Sequence, residues 1–187
     1  MCGRFTLKNQ KAVKKLYDLD IIPSYNIAPS QKILMFSGIK LDYIPWSFSP
    51  NWSKIPMNLS NARAESINIK PSFKNCKKCV IIADGWYEWK RTSIAKIPFY
   101  HYVNNSLIHM AGIYNNKGCA IVTTNACANI INIHHRQPLL LDGLNIFNWV
   151  EEKQLITSNV SEKIQFYPVS KYVNYPSNND AKCIERI

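Results

Sequence analysis

The chain has 187 residues, a length that suits one domain and buries about 70% of its unfolded surface around a single core. Its formal net charge of +11 favours a polyanionic partner such as nucleic acid, although a Lys-rich solvated surface would give the same count. The apolar runs are far shorter than the roughly 20 residues of a membrane helix, and none resembles a secretory signal. We therefore expect no membrane association and a cytoplasmic, nucleoid-associated protein.

The first half of the chain predicts a short amphipathic helix followed by strands. Apolar residues at helical spacing predict a helix over residues 10–19, and a proline-marked turn precedes a strand at 33–37. Residues 79–83 and 86–89 are rich in β-branched and aromatic residues and are separated by Asp84-Gly85. This pattern predicts a β-hairpin.

The second half continues mainly as strands, at 99–103, 107–113 and 119–124, with helices predicted over 125–132 and 143–152. The mixed order favours an α+β fold, built on a mainly antiparallel, barrel-like sheet with a few flanking helices. The chain contains no internal repeat or low-complexity linker. We therefore expect residues 1–187 to form one domain, and we expect that domain to be a monomer.

The six cysteines are expected to be free thiols in a reducing compartment. Cys76 and Cys79 have the spacing of half a zinc site, but no second Cys or His pair completes it. No glycine-rich phosphate loop or dinucleotide fingerprint is present either. The sequence therefore predicts no metal and no cofactor.

The opening Met1-Cys2-Gly3 carries the most distinctive chemistry in the chain. If Met1 is removed, Cys2 presents an α-amine and a thiol on adjacent carbons, which no internal cysteine can do. Such a 1,2-aminothiol condenses with an aldehyde to an imine, and the thiol then closes a five-membered thiazolidine. Both groups titrate near neutral pH, at about 7.7 to 8.0 for the amine and about 8.5 for the thiol. Taken alone, however, a cysteine at position 2 is more often accidental or simply buried.

Ordered motifs along nearly the whole chain resemble the SOS response-associated peptidase (SRAP) family. The matching segments are Met1–Phe5, Tyr25–Pro29, Asn61–Glu65, Lys70–Phe73, Ala83–Lys90, Ala111–Tyr114, Thr123–Thr124, Ile133–Pro138, Val169–Ser170, Val173–Asn174 and Cys183–Glu185.

The resemblance implies an abasic-site sensor that forms a covalent thiazolidine crosslink with abasic sites in single-stranded DNA, shielding the lesion in the DNA damage response. Cys2 would be the nucleophile, and Asn61 would orient the amine or the sugar. Glu88 would act as the acid or base in imine formation and thiol addition. His134 would donate the proton that opens the cyclic sugar.

By the same resemblance, Arg4, Arg63 and Arg136 would bind the flanking phosphates, or one of them would lock a carboxylate. Trp46 and Trp89 would stack on bases or wedge beside the lesion. A simpler interpretation stays open for Trp89, because packing in the core would explain this residue equally well.

The sequence departs from the family pattern at two places. Gln137 replaces the methionine usual in the His-x-Arg-Met-Pro run, and residues 44–52 differ from the common motif around Trp46.

Two other functions remain compatible with the sequence. A terminal cysteine with Glu88, His134 and Asn61 could form an N-terminal-nucleophile cysteine peptidase, including one that removes its own Met1, and an AP-lyase-like activity is a related possibility. The charge and aromatic content would also suffice for a non-catalytic single-stranded DNA binder. A covalent adduct that survives high salt would separate capture from simple binding.

Overall fold

The computed structural model describes residues 2–104 and 106–187, which form thirteen strands and two α-helices. In chain order these elements are β1 (Arg4–Leu7), α1 (Gln10–Tyr17), β2 (Ser24–Ile27), β3 (Lys32–Phe36), β4 (Leu41–Pro45), β5 (Asn61–Arg63), β6 (Lys77–Ala83), β7 (Gly85–Arg91), β8 (Lys96–Tyr102), β9 (Ile108–Asn115), β10 (Gly118–Asn125), β11 (Arg136–Pro138), β12 (Leu140–Leu141), α2 (Leu144–Val150) and β13 (Gln165–Pro168).

The strands form two sheets, and the pairing is antiparallel except between β5 and β10. Sheet A has five strands in the order β13, β8, β7, β1 and β2. Sheet B has the other eight, along the path β11, β10, β9, β6, β3 and β4, with β12 on β9 and β5 on β10. The α+β class and the antiparallel pairing are as predicted, but within the described ranges the sheets stack as a sandwich and close no barrel.

Three clusters of buried side chains pack between the two sheets and on their outer faces. The largest lies between the sheets and joins Phe5 and Trp86 of sheet A to Ile81 of sheet B. A second covers the outer face of sheet B, where the Trp149 indole of α2 donates to the carbonyl of Cys79 at 3.0 Å. The third packs the C-terminal segment on the outer face of sheet A. Burial of apolar surface on both faces of each sheet is the main force that holds this arrangement together.

The predicted hairpin at Asp84-Gly85 is wrong, because β6 pairs in sheet B and β7 pairs in sheet A. At this crossing the Asp84 carboxylate accepts from the backbone amides of Lys8 and Asn9, at 2.6 and 2.7 Å, and from the Thr6 hydroxyl. These bonds tie the crossing to the end of β1. The chain therefore changes sheet where the local sequence suggests that it should fold back.

The predicted helix over 125–132 is also wrong, since Asn125 ends β10 and the residues after it form an irregular segment followed by turns. Tertiary hydrogen bonds compete with the helical ladder here. The buried Gln137 side chain accepts from the amide of Cys127 at 2.9 Å, and the Asn129 amide donates to the carbonyl of Ile164 at 3.0 Å. The other helices match their predictions with slightly shorter bounds. No helix in the described part of the chain has the length and apolar character of a membrane span.

Candidate functional site

Cys2 lies at the entrance to β1 and is completely buried. Its thiol is 3.8 Å from the carbonyl oxygen of Arg4. Burial raises the pKa of the Cys2 thiol, and the nearby Glu88 carboxylate raises it further. The thiol is therefore protonated at neutral pH in this environment, and its use as a nucleophile requires a group that takes the proton. The predicted removal of Met1 concerns a residue outside the described part of the chain.

Asn61 contacts Cys2 directly from the first position of β5. Its side-chain amide donates to the carbonyl of Cys2 at 2.8 Å and to the Ser60 hydroxyl at 3.1 Å. The Asn61 Oδ1 atom is buried and has no hydrogen-bond partner among the described residues. A buried acceptor without a donor is energetically costly, so this atom is suited to receive an N–H or O–H group beside Cys2.

Glu88 and His134 line a cleft of about 400 Å³, together with Trp89, Arg91, Lys96 and Asn174. Glu88 is 4% exposed, and burial raises the pKa of its carboxyl group although neighbouring His135 opposes the shift. His134 has its Nδ1 atom 3.0 Å from the amide nitrogen of Arg136. Burial lowers the pKa of His134, as do the charges of Arg91 and Arg136. The cleft therefore holds two groups whose pKa values are shifted towards neutral species.

Of the three arginines predicted to bind phosphate, the structure leaves Arg63 the most accessible. Arg63 is exposed, and its side chain has no ion pair within residues 2–104 and 106–187. Arg4 donates to Asn26 Oδ1 and to the Val173 carbonyl, each at 3.0 Å, and so holds the C-terminal segment. Arg136 is 4% exposed and forms a two-pronged pair with Glu65 at 2.6 and 3.0 Å. An ion pair of this kind with a carboxylate was the alternative predicted for one of the three arginines.

Arg136→Ala is expected to lower the free energy of unfolding by about 2 to 4 kcal/mol, because it removes a buried cation and its bonds to Glu65 and to Thr123. If the chain binds DNA as the sequence predicts, the salt dependence of that binding should change little. Arg63→Ala is the matched control, with the opposite pattern expected. Urea denaturation and binding titrations over a salt series measure both quantities. A stable Arg136→Ala protein that loses one phosphate contact would contradict this assignment.

The two predicted tryptophans have different surroundings. Trp46 is completely buried, packs edge-on against Phe5 at 5.2 Å, and donates its indole N–H to the Ser60 carbonyl at 2.7 Å. Stacking of Trp46 on a base would require opening of the core. Trp89 is half-buried in the wall of the cleft, and its indole N–H donates to Asn174 Oδ1 at 2.8 Å. Trp89 alone of the pair lines the cleft.

The hydrogen bond between Trp89 and Asn174 should set the angle of the indole ring. If the chain binds single-stranded DNA as the sequence predicts, Asn174→Ala should weaken non-covalent binding severalfold, and Trp89→Phe should remove most of that effect. The coupling free energy in a double-mutant cycle should be about 0.5 to 1.5 kcal/mol. Additive effects in fluorescence-anisotropy titrations would show that Asn174 does not act through Trp89.

Sequence reasoning missed Asn174, Arg91 and Lys96 as members of this cleft. Arg91 follows the Tyr-Glu-Trp-Lys segment, so strand alternation from Trp89 was the available signal for it. No local pattern connects Asn174 to a strand more than eighty residues earlier in the chain. As for metals, no group of three or more His, Cys, Asp or Glu side chains arranged to hold an ion occurs among the described residues.

Comparisons with known proteins identify the family of the chain. The sequence model described as SOS response associated peptidase (SRAP) matches residues 1–176. The chain is 34% identical to the abasic site processing protein YoqW of Bacillus subtilis, over 99% of both chains, and 31% identical to the abasic site processing protein YedK of Escherichia coli, over 100% of both.

Among solved structures, the chain is similar to a protein from Bacteroides thetaiotaomicron, with a TM-score of 0.79, 22% identity and 100% coverage of both chains. That likeness concerns the fold alone. The sequence matches are decisive for the family, because they extend over nearly the whole chain and include every segment of the cleft. The chain belongs to the SOS response associated peptidase (SRAP) family.

Proposed function

We propose that this protein processes abasic sites in single-stranded DNA by capturing them covalently through Cys2. Relatives named abasic site processing proteins match the chain along its full length. The observation that carries the proposal is the contact at Cys2, where the Asn61 amide holds the residue by its carbonyl and leaves a buried acceptor beside it. Glu88 is close enough to influence the thiol. These groups surround the one residue able to act as an aminothiol.

The capture is a condensation that releases one molecule of water. Once Met1 is removed, the α-amine of Cys2 attacks the C1 aldehyde of the open abasic sugar, and the carbinolamine loses one water to give an imine. The thiol sulfur then adds to the imine carbon, its proton passes to the nitrogen, and a thiazolidine ring closes. The adduct therefore has the mass of protein plus DNA minus one water. Without ring closure the imine would permit β-elimination and strand cleavage, so closure protects the strand.

Each neighbouring residue would either transfer a proton or orient a reacting group. Glu88 carries a raised pKa and can deliver a proton to the departing hydroxyl, then accept one from the thiol. His134 has Nδ1 engaged by the backbone of Arg136, so its proton transfer to the sugar ring oxygen would use Nε2. The unpaired Asn61 Oδ1 would accept from the amine of Cys2 and direct its lone pair.

Burial of Cys2 offers a physical basis for lesion selectivity. Cys2 is completely buried and interacts with Glu88, which lines the cleft, so the abasic sugar would have to enter through the cleft to meet the amine and the thiol. An abasic nucleotide has no base and is slim enough to enter, whereas an intact nucleotide would have to bring its base along. Selectivity would then arise from shape as well as from the aldehyde, which intact nucleotides lack.

The direct test is incubation of the mature protein with a single-stranded oligonucleotide that carries one abasic site, followed by denaturing electrophoresis and intact mass measurement. We expect a heat-stable adduct with a mass deficit of one water. An oligonucleotide with a tetrahydrofuran analogue, which has no aldehyde, is the control and should bind without crosslinking. Absence of an adduct with the abasic strand would refute the proposal, whatever the affinity.

A peptidase activity is the second candidate, favoured by the placement of Glu88 near the Cys2 thiol, since an acid–base group beside a thiol also suits amide cleavage. Self-removal of Met1 is its simplest form. The intact mass of purified Glu88→Gln protein, expressed beside the unaltered protein, decides the matter. Retention of Met1 only in the variant would support self-processing, whereas removal in both would assign the step to a cellular aminopeptidase.

A further inference from the structure

Two cations face each other at the tip of the hairpin formed by β7 and β8. Arg91 ends β7, Lys96 begins β8, and the two residues are direct cross-strand partners. Both are exposed, and neither forms an ion pair with any residue in the described ranges. Like charges directly opposite on neighbouring strands destabilise a sheet. This pairing is therefore unfavourable for the free protein unless an anion lies between the two side chains.

The tip is rigid enough to present both cations together. Thr92 closes the connecting turn, because its backbone amide and its hydroxyl both donate to the carbonyl of Ala95, at 2.9 and 3.0 Å, and the hydroxyl also accepts from the Ala95 amide at 3.0 Å. The backbone positions of Arg91 and Lys96 are thus fixed by strand register and by the turn. Such preorganisation lowers the entropic cost of binding an anion between them.

The position of the pair identifies the anion. Arg91 and Lys96 line the same cleft as Glu88 and His134, and by strand alternation Arg91 lies on the same face of β7 as Trp89. A ligand between the two cations would therefore sit next to an aromatic wall and at the entrance to the candidate catalytic groups. Phosphate beside an aromatic side chain is the combination that a single nucleic-acid strand offers.

We propose that Arg91 and Lys96 together bind one backbone phosphate of the DNA strand and so fix the strand next to the base that meets Trp89. The planar guanidinium suits two phosphate oxygens, and the ammonium supplies a second point charge. This assignment of the ligand rests on the proposed function. It adds a phosphate site at the hairpin tip to Arg63, the exposed one of the three arginines predicted to bind phosphate.

The test uses single-stranded DNA without any lesion, so that Cys2 chemistry plays no part. Affinities of the unaltered protein and of the Arg91→Gln/Lys96→Gln double variant are measured by fluorescence anisotropy between about 50 and 200 mM salt. We expect the slope of log affinity against log salt to fall by about 0.7, the value for one single-strand phosphate. The affinity at the low-salt end should fall about tenfold.

The Lys15→Gln/Lys163→Gln double variant is the matched control, since it also removes two exposed cations but alters residues that lie outside this cleft. A double variant whose slope and affinity match those of the control would overturn the proposal. Thermal unfolding supplies a second readout, because relief of like-charge repulsion should leave stability unchanged or slightly higher. A marked loss of stability would instead assign the pair a structural role, and this too would overturn the phosphate site.

The outcomes for this site and for covalent capture are separable. A smaller slope of log affinity against log salt in the double variant supports the phosphate site even if the abasic strand forms no adduct. Conversely, an adduct that forms normally at saturating DNA, with an unchanged slope, would support capture and reject the phosphate site.

Discussion

Cys2→Ala is expected to eliminate the heat-stable adduct with an abasic strand, to the limit of detection. Alanine keeps the terminal α-amine but removes the sulfur, so the reaction stops at the imine. The imine hydrolyses on denaturation or undergoes β-elimination, and cleaved DNA should accumulate in place of the adduct. Treatment with borohydride during incubation should restore a covalent link as a reduced amine. Denaturing gels run with and without the reductant measure both results.

Two further variants separate the thiol from the aminothiol. Cys2→Ser should behave like Cys2→Ala, because a hydroxyl closes the ring far less readily than a thiol. Insertion of one glycine before Cys2 retains the thiol but moves the terminal amine onto the new residue. This insertion should also eliminate the heat-stable adduct. A normal adduct from the inserted variant would mean that the thiol acts alone, and the thiazolidine mechanism would be wrong.

The fold was predictable from local pattern wherever strands alternate and packing agrees with propensity. Strands at 33–37, 99–103 and 119–124 and the helix near residue 10 all occur with small changes of bounds. The connections were not predictable in the same way. Asp84-Gly85 has the composition of a tight turn, yet the Asp84 carboxylate binds amides at the end of β1, and that long-range contact sends the chain into the other sheet. Local composition contains no information about such partners.

For the site, sequence reasoning brought together the residues that carry distinctive chemistry. Asn61 does contact Cys2, and Glu88 and His134 do line one cleft. What sequence could not give was the burial of each side chain. Trp46 and Trp89 are the same residue type, but Trp46 lies in the core and Trp89 lines the cleft. The same holds for Arg136, whose guanidinium is committed to Glu65.

Glu88→Gln is expected to slow crosslinking at saturating abasic DNA by roughly 100-fold at neutral pH, a typical contribution of one acid–base group. Glutamine keeps the size and the hydrogen-bonding capacity of the side chain but cannot exchange a proton. Single-turnover rates measured across a pH series should show one titration in the unaltered protein that is missing from the variant. An unchanged rate would assign proton transfer to His134 or to solvent.

The same substitution makes a second, independent prediction about stability. Burial raises the pKa of Glu88 in the folded protein, so its protonated form is the one that folding favours. Its contribution is therefore fully present below the unfolded pKa and is lost as pH rises through the folded pKa. Relative to Glu88→Gln, the unaltered protein should lose stability as pH rises across that range. Urea denaturation at several pH values measures the difference.

Glu65 provides the control with the opposite sign, because its hydrogen bond to Arg136 lowers the pKa of the Glu65 carboxyl. Its contribution is present above the unfolded pKa and is lost as pH falls through the folded pKa. The difference between the unaltered protein and Glu65→Gln should therefore grow towards neutral pH, whereas the difference for Glu88→Gln should change in the other direction. If both variants followed the same trend, the Glu88 carboxyl would not be the buried proton carrier that covalent capture requires.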